Sequence, residues 1–172
     1  TTAYVWGRND KKVEQFVSEN CSELKIKLIQ ANNTEEVCKK SDVLITTTPS
    51  NSPIIQHQWL QSGQHITAMG SDAEHKNELD PEIILRCNCY IPDNLDQTRI
   101  LGELNHAITK KIIDKDKKFT ELGEIIKNPS LGRKTENDIT VCDLTGTGVQ
   151  DTAIARYAFD LAKSKNLGME IN

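Results

Sequence analysis

The sequence predicts an α/β fold, a Rossmann-like doubly wound parallel sheet that lacks its first strand and Gly-rich turn. Three observations carry this. Short strand-type apolar runs alternate with short helical patterns at the spacing of parallel crossover units. At least one run, DVLITTT (42–48), is apolar in the manner of a strand covered on both faces. No turn of the GxGxxG kind opens the chain, so TTAYVWGR reads as the second strand of a dinucleotide-binding unit.

The elements follow in order. AYVWGRND is a short β-type run ending at Gly7 and Arg8, after which Asp10 caps a helix to about Glu19 with Val13, Phe16 and Val17 on one side. KIKLIQA (25–31) alternates as a half-buried strand, Asn33 or Thr34 caps a helix through Lys40, and the run 42–48 is the next strand. TTTPSNSP is a loop by its two prolines and small polar residues. HQWLQSG forms a short helix stopped at Gly63, and HITAMG (65–70) is a strand. Asp80 and Pro81 open a helix that runs to about Arg86, and NCYIPD supplies another strand. Residues 95–132 read as helical and polar, ENDITVCDL closes with a strand, and 149–166 form a long amphipathic helix with Gly168 as its stop.

The 172 residues are 37% hydrophobic and 27% charged, values of one soluble domain. A formal charge of −4 offers no basic face for nucleic acid or an anionic membrane. No apolar run approaches the ~18 residues that span a bilayer, and the opening residues lack the layout of a secretion signal, so the expected home is the cytoplasm. Cys21, Cys38, Cys87, Cys89 and Cys142 are an odd, scattered set, expected as buried reduced thiols, with Cys87 and Cys89 on one strand face. The histidines at 57, 65, 75 and 106 have no zinc-ligand spacing, and no metal is expected.

Four segments can carry chemistry. At the end of a second strand an acid would accept from a ribose 2′-hydroxyl, whereas an arginine suits a 2′-phosphate; Arg8 therefore favours NADP over NAD, unless WGRND is only a solvated cationic turn. Thr46, Thr47 and Thr48 offer hydroxyls and backbone groups to a cofactor edge and Pro49 fixes the turn, the alternative being a capped loop. In GSDAEHKNELDP, Gly70 allows close approach of a flat ring, Ser71 offers a hydroxyl and Asp72 a general acid or base; otherwise Asp72 is a loop carboxylate, and Lys76 pairs with Glu78 on the surface. DLTGTGVQD (143–151) makes an amide-lined turn before the long helix, or else Asp143 and Asp151 cap and end their elements.

VWGRN, then SDVLITTTPSNSPI and QWLQSGQHITAMGSDAEHKNELDPEIILR, then LGELNHAI, then ITVCDLTGTGVQDTAIA, in that order, resemble the ornithine cyclodeaminase and mu-crystallin family. The last segment is most similar to its ectoine-utilisation branch. The resemblance implies an NAD(P)-dependent enzyme that oxidises an amino acid to an imine and, in cyclodeaminases, returns the hydride after cyclisation and ammonia loss. It equally admits an amino-acid dehydrogenase, a ketimine reductase or a non-catalytic crystallin-like binder of NADP. Under it, Asp72 matches the acid/base aspartate beside the substrate amine. Gly7, Arg8 and Asn9 match the adenosine-side segment, Thr46 to Pro49 the turn along the cofactor, Met69, Gly70 and Ser71 the nicotinamide vicinity, and Thr145 with Gly146 the returning loop.

Members of that family are longer and dimeric. Their N-terminal portion supplies a dimerisation sheet, a substrate-binding arginine and lysine, and the first strand. Residues 1–172 are accordingly expected to be the cofactor-binding part of a longer polypeptide, inactive alone, with helix 149–166 returning toward the substrate and dimerisation domain. The usual strand order puts the absent strand mid-sheet, leaving two inner edges unpaired.

Overall fold

A computed structural model gives the structure of the chain and describes residues 1–169. Its strands are β1 (Thr2–Val5), β2 (Lys27–Gln30), β3 (Val43–Thr46), β4 (His65–Ala68), β5 (Cys89–Pro92) and β6 (Thr140–Asp143). Its helices are α1 (Asp10–Asn20), α2 (Thr34–Lys40), α3 (Glu82–Arg86), α4 (Leu95–Thr98), α5 (Gly102–Thr109), α6 (Leu122–Lys127) and α7 (Gly148–Ser164). Every strand pairing is parallel, as expected of crossover units.

The sheet is in two pieces. β1 pairs with β2 alone, and the other four run in the order β3-β4-β6-β5. Residues Thr1–Tyr4 face Ser41–Ile45 across a gap of about 330 Å³, which continues between Tyr4–Trp6 and Leu44–Thr48 as a cavity of about 210 Å³. The slot separates the two inner edges that the sequence leaves without a partner. Within the larger sheet Thr46, Ala68, Asp143 and Pro92 stand in register, so the four strands end level and their loops leave from one rim.

Local signals fix most boundaries. Asn9, not Asp10, caps α1, its Oδ1 accepting from the Lys12 amide at 3.1 Å. Asn33 does the same for Glu36 at 2.8 Å. The Glu82 amide donates to Asp80 Oδ1 at 3.1 Å, which starts α3 just past Pro81. α7 opens with a Thr147/Gln150 capping box, and beyond its end Asn166 and Gly168 take positive φ values of 52° and 93°. The expected helix in HQWLQSG shrinks to a 3₁₀ turn at His57–Trp59. Residues 95–132 break into α4, α5, α6 and a 3₁₀ turn.

One apolar cluster joins the sheet to the helices: Leu44, Ile66, Tyr90 and Val141 from the strands, Ile83 and Ile84 from α3, Leu104 and Ala107 from α5. Three expectations about burial are corrected. Val43 and Ile45 are 56% and 65% exposed, because β3 is covered on one face only. Cys21 is exposed at the end of α1, whereas Cys38 and Cys142 are buried and Cys87 and Cys89 half-buried. Cys87 lies between α3 and β5, so the two thiols share no strand face. No residue of α7 is buried, and its apolar side chains Val149, Ile154, Tyr157 and Phe159 have no cover among the described residues. No helix among these residues is long and apolar enough to cross a membrane.

Ile66 is fully buried in the inner strand β4. Ile66→Ala should lower unfolding stability by about 2–5 kcal/mol, read from the midpoint of a urea titration.

Candidate cofactor and acid/base site

Because β3, β4 and β6 end level, the turns after them leave from one rim, the place where ligands bind in open α/β sheets. The turn after β1 and the turn after β3 form a cleft of about 560 Å³, lined by Trp6, Arg8, Thr47, Thr48 and Pro49 among others. Thr46 borders the adjacent slot with Val5 and Trp6; its hydroxyl is buried and makes no hydrogen bond to any described residue. The segments WGRND and TTTPS, far apart in sequence, thus meet on opposite walls. Gly7 and Asn9 do not line that cleft. A Cβ on Gly7 would stand 3.2 Å from Val13, and the Asn9 side chain is occupied in capping α1.

The turn after β4 divides between inside and outside. Met69 is 48% exposed, Gly70 and Ser71 are buried, and Asp72 is exposed again. A Cβ on Gly70 would lie 2.2 Å from the Thr48 carbonyl oxygen and 2.4 Å from the Glu78 carboxyl carbon, so the close approach that glycine permits here is made by the protein itself. Ser71 turns its hydroxyl inward and donates it to Glu103 Oε1. Asp72 accepts from Lys76 Nζ at 2.5 Å, and this bond holds its carboxyl below the usual aspartate range. Lys76 is therefore the partner of Asp72 and not of Glu78, contrary to the surface pairing read from the sequence.

Thr145 and Gly146 follow β6 and are tied to the start of α4. The Thr145 hydroxyl donates to Asp93 Oδ1 at 3.0 Å and accepts from Gln97 at 2.9 Å, and the Gly146 amide donates to Asp93 Oδ2 at 3.0 Å. Gly146 has φ of 81°, which glycine adopts freely.

Beneath the rim lie three acids that the sequence reading passed over or misassigned. Glu78, fully buried, accepts the Thr48 amide at 2.5 Å and the Gly70 amide at 2.8 Å, one on each oxygen. Glu103 accepts from Ser71, from Asn77 Nδ2 at 2.6 Å and from the amides of Glu78 and Leu79 at 2.8 and 3.1 Å. Asp143, expected as a cap, is instead fully buried in β6. Its Oδ2 accepts from the Tyr90 hydroxyl at 2.5 Å and from the amides of Glu103 and Leu104 at 2.9 and 3.3 Å, while Oδ1 has no partner. Gly102, at φ of 73°, brings the start of α5 onto it; a Cβ there would stand 2.7 Å from Thr145 and 3.0 Å from both Asp143 oxygens. The only signal in the sequence is position: an acid ending the apolar strand of ITVCDL, and an acid beside the apolar residues of GELNHAI.

Burial pushes the Glu103 carboxyl up to about 7, and burial with the negative charge of Glu103 pushes Asp143 up to about 8. Four donors already occupy Glu103, whereas Asp143 has an oxygen to spare, so the proton that the pair retains near neutrality belongs on Asp143. Burial and Asp143 drive Tyr90 well up, which keeps its hydroxyl a donor.

A family model described as the ornithine cyclodeaminase/mu-crystallin family matches residues 1–166. An uncharacterized cyclodeaminase of Sinorhizobium fredii is 48% identical over 166 residues, covering 96% of this chain and 50% of that protein. The chain spans about half the length of the curated relatives it matches. Among solved structures, an archaeal alanine dehydrogenase dimer with bound NAD is similar with a TM-score of 0.87 at 35% identity, over 99% of this chain and 52% of that one. The iminosuccinate reductase of Paracoccus denitrificans in complex with NAD⁺ gives 0.86 at 29% identity, over 98% and 51%.

The raised acids set a pH dependence. Both values lie above the ~4 of an unfolded carboxyl, so the folded chain holds protons that the unfolded chain has released. That stability is complete below about pH 4 and is lost as pH rises through about 7 and 8. His65, which burial holds below the usual histidine range, works in the opposite sense only at lower pH. Above the range of His65 the melting temperature should fall as pH rises from about 6.5 to about 8 and level off beyond, by roughly 2–4 °C per kcal/mol lost. Asp143→Asn should flatten that slope; an unchanged slope would refute the assignment.

Proposed function

The chain belongs to the ornithine cyclodeaminase/mu-crystallin family, and we propose that it is the nicotinamide-holding part of an NAD(P)-dependent amino-acid enzyme with Asp72 as its acid/base group. The family's relatives include proteins named as cyclodeaminase, dehydrogenase and reductase. The observation that carries the reading is the convergence on one rim of Arg8 and Thr47–Pro49 in a shared cleft, with the loop bearing Asp72 next to it. The partnerless buried hydroxyl of Thr46 and the backbone groups of the following turn suit a polar, extended ligand. When bound, the nicotinamide supplies hydride exchange with the carbon that carries the substrate amine.

The chain's own residues account for the rest. Arg8 supplies a guanidinium for a phosphate on the adenosine ribose, which favours NADP. Thr47 and Thr48 orient the cofactor along the cleft wall. Asp72, kept ionised by Lys76, accepts the proton of the substrate ammonium and so frees the nitrogen lone pair for imine formation. In a cyclodeaminase that imine is attacked intramolecularly, ammonia leaves and the hydride returns, with no net redox change. The likeness to an alanine dehydrogenase and an iminosuccinate reductase supports a second reading, net hydride transfer between cofactor and amino acid. Fold does not choose between them. Ammonia release without lasting change in nicotinamide absorbance supports the first; steady absorbance change supports the second.

We further infer that a parallel strand from outside residues 1–169 completes the sheet between β1 and β3, since the slot has strand edges on both sides. The working unit is then a homodimer of a longer polypeptide, α7 carrying its apolar side toward the substrate domain.

In the full-length protein Asp72→Asn should cut turnover by about 10²–10⁴ with little change in cofactor affinity. Equal losses in both, measured by steady-state kinetics and calorimetry, would make Asp72 a structural residue. Arg8→Ala should weaken NADPH about tenfold or more and NADH far less; equal weakening of the two would remove the case for NADP.

A further inference from the structure

We propose that Glu78 is a positioning residue that couples the cofactor turn after β3 to the acid/base loop after β4. The inference rests on the reading of Asp72 and of the Arg8/Thr47–Pro49 cleft given above. Its physical basis is one side chain that holds two loops. The oxygens of Glu78 accept the amide of Thr48, which lines the cleft, and the amide of Gly70, two residues before Asp72. Neither amide can shift without drawing on the same carboxyl group.

Glu78 is itself fixed from every side. Its carbonyl oxygen accepts the amides of Ile54 and Ile55 at 2.7 and 3.1 Å, and its own amide donates to Glu103 at 2.8 Å. Next to it the Asn77 amide donates to the Ser50 carbonyl at 2.7 Å, and Leu79 bridges to Ile55 in parallel fashion. Residues 77–79 are thereby zipped along 50–55, which include the outer wall of the cleft. Glu103 closes the circuit by holding Ser71 and Asn77, the residues that flank the exposed stretch with Asp72 and Lys76. His106 adds a tie from α5 to the Lys76 carbonyl at 2.6 Å. Asp72 stands in solvent, yet the loop that carries it is clamped at both ends.

A coupling role differs from a merely structural one in its energetics. Glutamine at position 78 keeps the shape but replaces one acceptor oxygen with an NH₂ group, so one of the two amides must lose its partner. A kinetic cycle in the full-length enzyme with Glu78→Gln, Asp72→Asn and both tests this. We expect Glu78→Gln to lower kcat about tenfold or more and to weaken cofactor binding, since tenfold corresponds to one lost hydrogen bond of ordinary worth. In the Asp72→Asn background it should cost no further turnover while still weakening the cofactor. Additive losses in kcat overturn the coupling and leave the role of Asp72 standing; full turnover in Asp72→Asn alone overturns both. Should Glu78→Gln fail to fold, amide hydrogen exchange on the unmodified protein decides. Added NADH should slow Gly70, Glu78 and Leu79 together with Thr48, and protection confined to residues 47–52 overturns the proposal.

Discussion

Carboxyl groups buried under the sheet's rim hold the architecture of the candidate site together. Irregular turns leave backbone amides without a ladder partner, and an amide buried without one costs roughly as much as a lost hydrogen bond. Glu78, Glu103 and Asp143 answer that need with oxygens: among them they accept the amides of Thr48, Gly70, Glu78, Leu79, Glu103 and Leu104. Burying such groups is itself unfavourable unless donors surround them. The acids and the loops therefore stabilise one another, and neither arrangement stands without the other. The glycines at 70 and 102 belong to the same device: Gly70 lets the backbone approach the Glu78 carboxyl closer than a Cβ allows, and Gly102 takes a positive φ with the Asp143 oxygens 3.0 Å from where a Cβ would stand.

The same arrangement fixes the loop around an exposed carboxylate. Asp72 and Lys76 lie on a short stretch of loop that begins at a buried serine and ends at a buried asparagine. Solvent reaches the carboxylate, while the anchor points Ser71 and Asn77 are buried and hydrogen-bonded to Glu103. Arg8 is positioned by different means: Asn9 caps α1 immediately after it, so the arginine leaves β1 at a turn whose direction the helix start determines.

Much of this was legible in the chain itself. Alternating apolar runs and capped helices gave parallel strands, and the absence of a glycine turn pointed to the unpaired edges that the slot between β1 and β3 displays. Arg8 and Thr47–Pro49 line one cleft because residues at strand ends come together whatever their distance in sequence. The buried acids were not found, because patterns of periodicity treat an acid as a surface residue and carry no record of which amides will need an acceptor. Asp143 looked like a cap for the same reason. Val43 and Ile45 were misjudged since an apolar run says that a strand can be covered on both faces, not that a neighbour is present to cover it. In the region 95–132 the positive φ at Gly102 interrupts the helix, and composition alone does not reveal a turn whose purpose is to deliver amides to a distant aspartate.

The distribution of thiols has a practical sequel. Burial raises Cys38 and Cys142 to about 11 and Cys87 to about 12, and it raises Cys89 as well, so near neutrality these sulfurs are protonated and poor nucleophiles. Cys21 is the exposed thiol of the five, at the far end of the helix that begins beside Arg8. A maleimide dye would thus react there first, ahead of the half-buried Cys87 and Cys89, giving a fluorescent reporter on the outer strand pair.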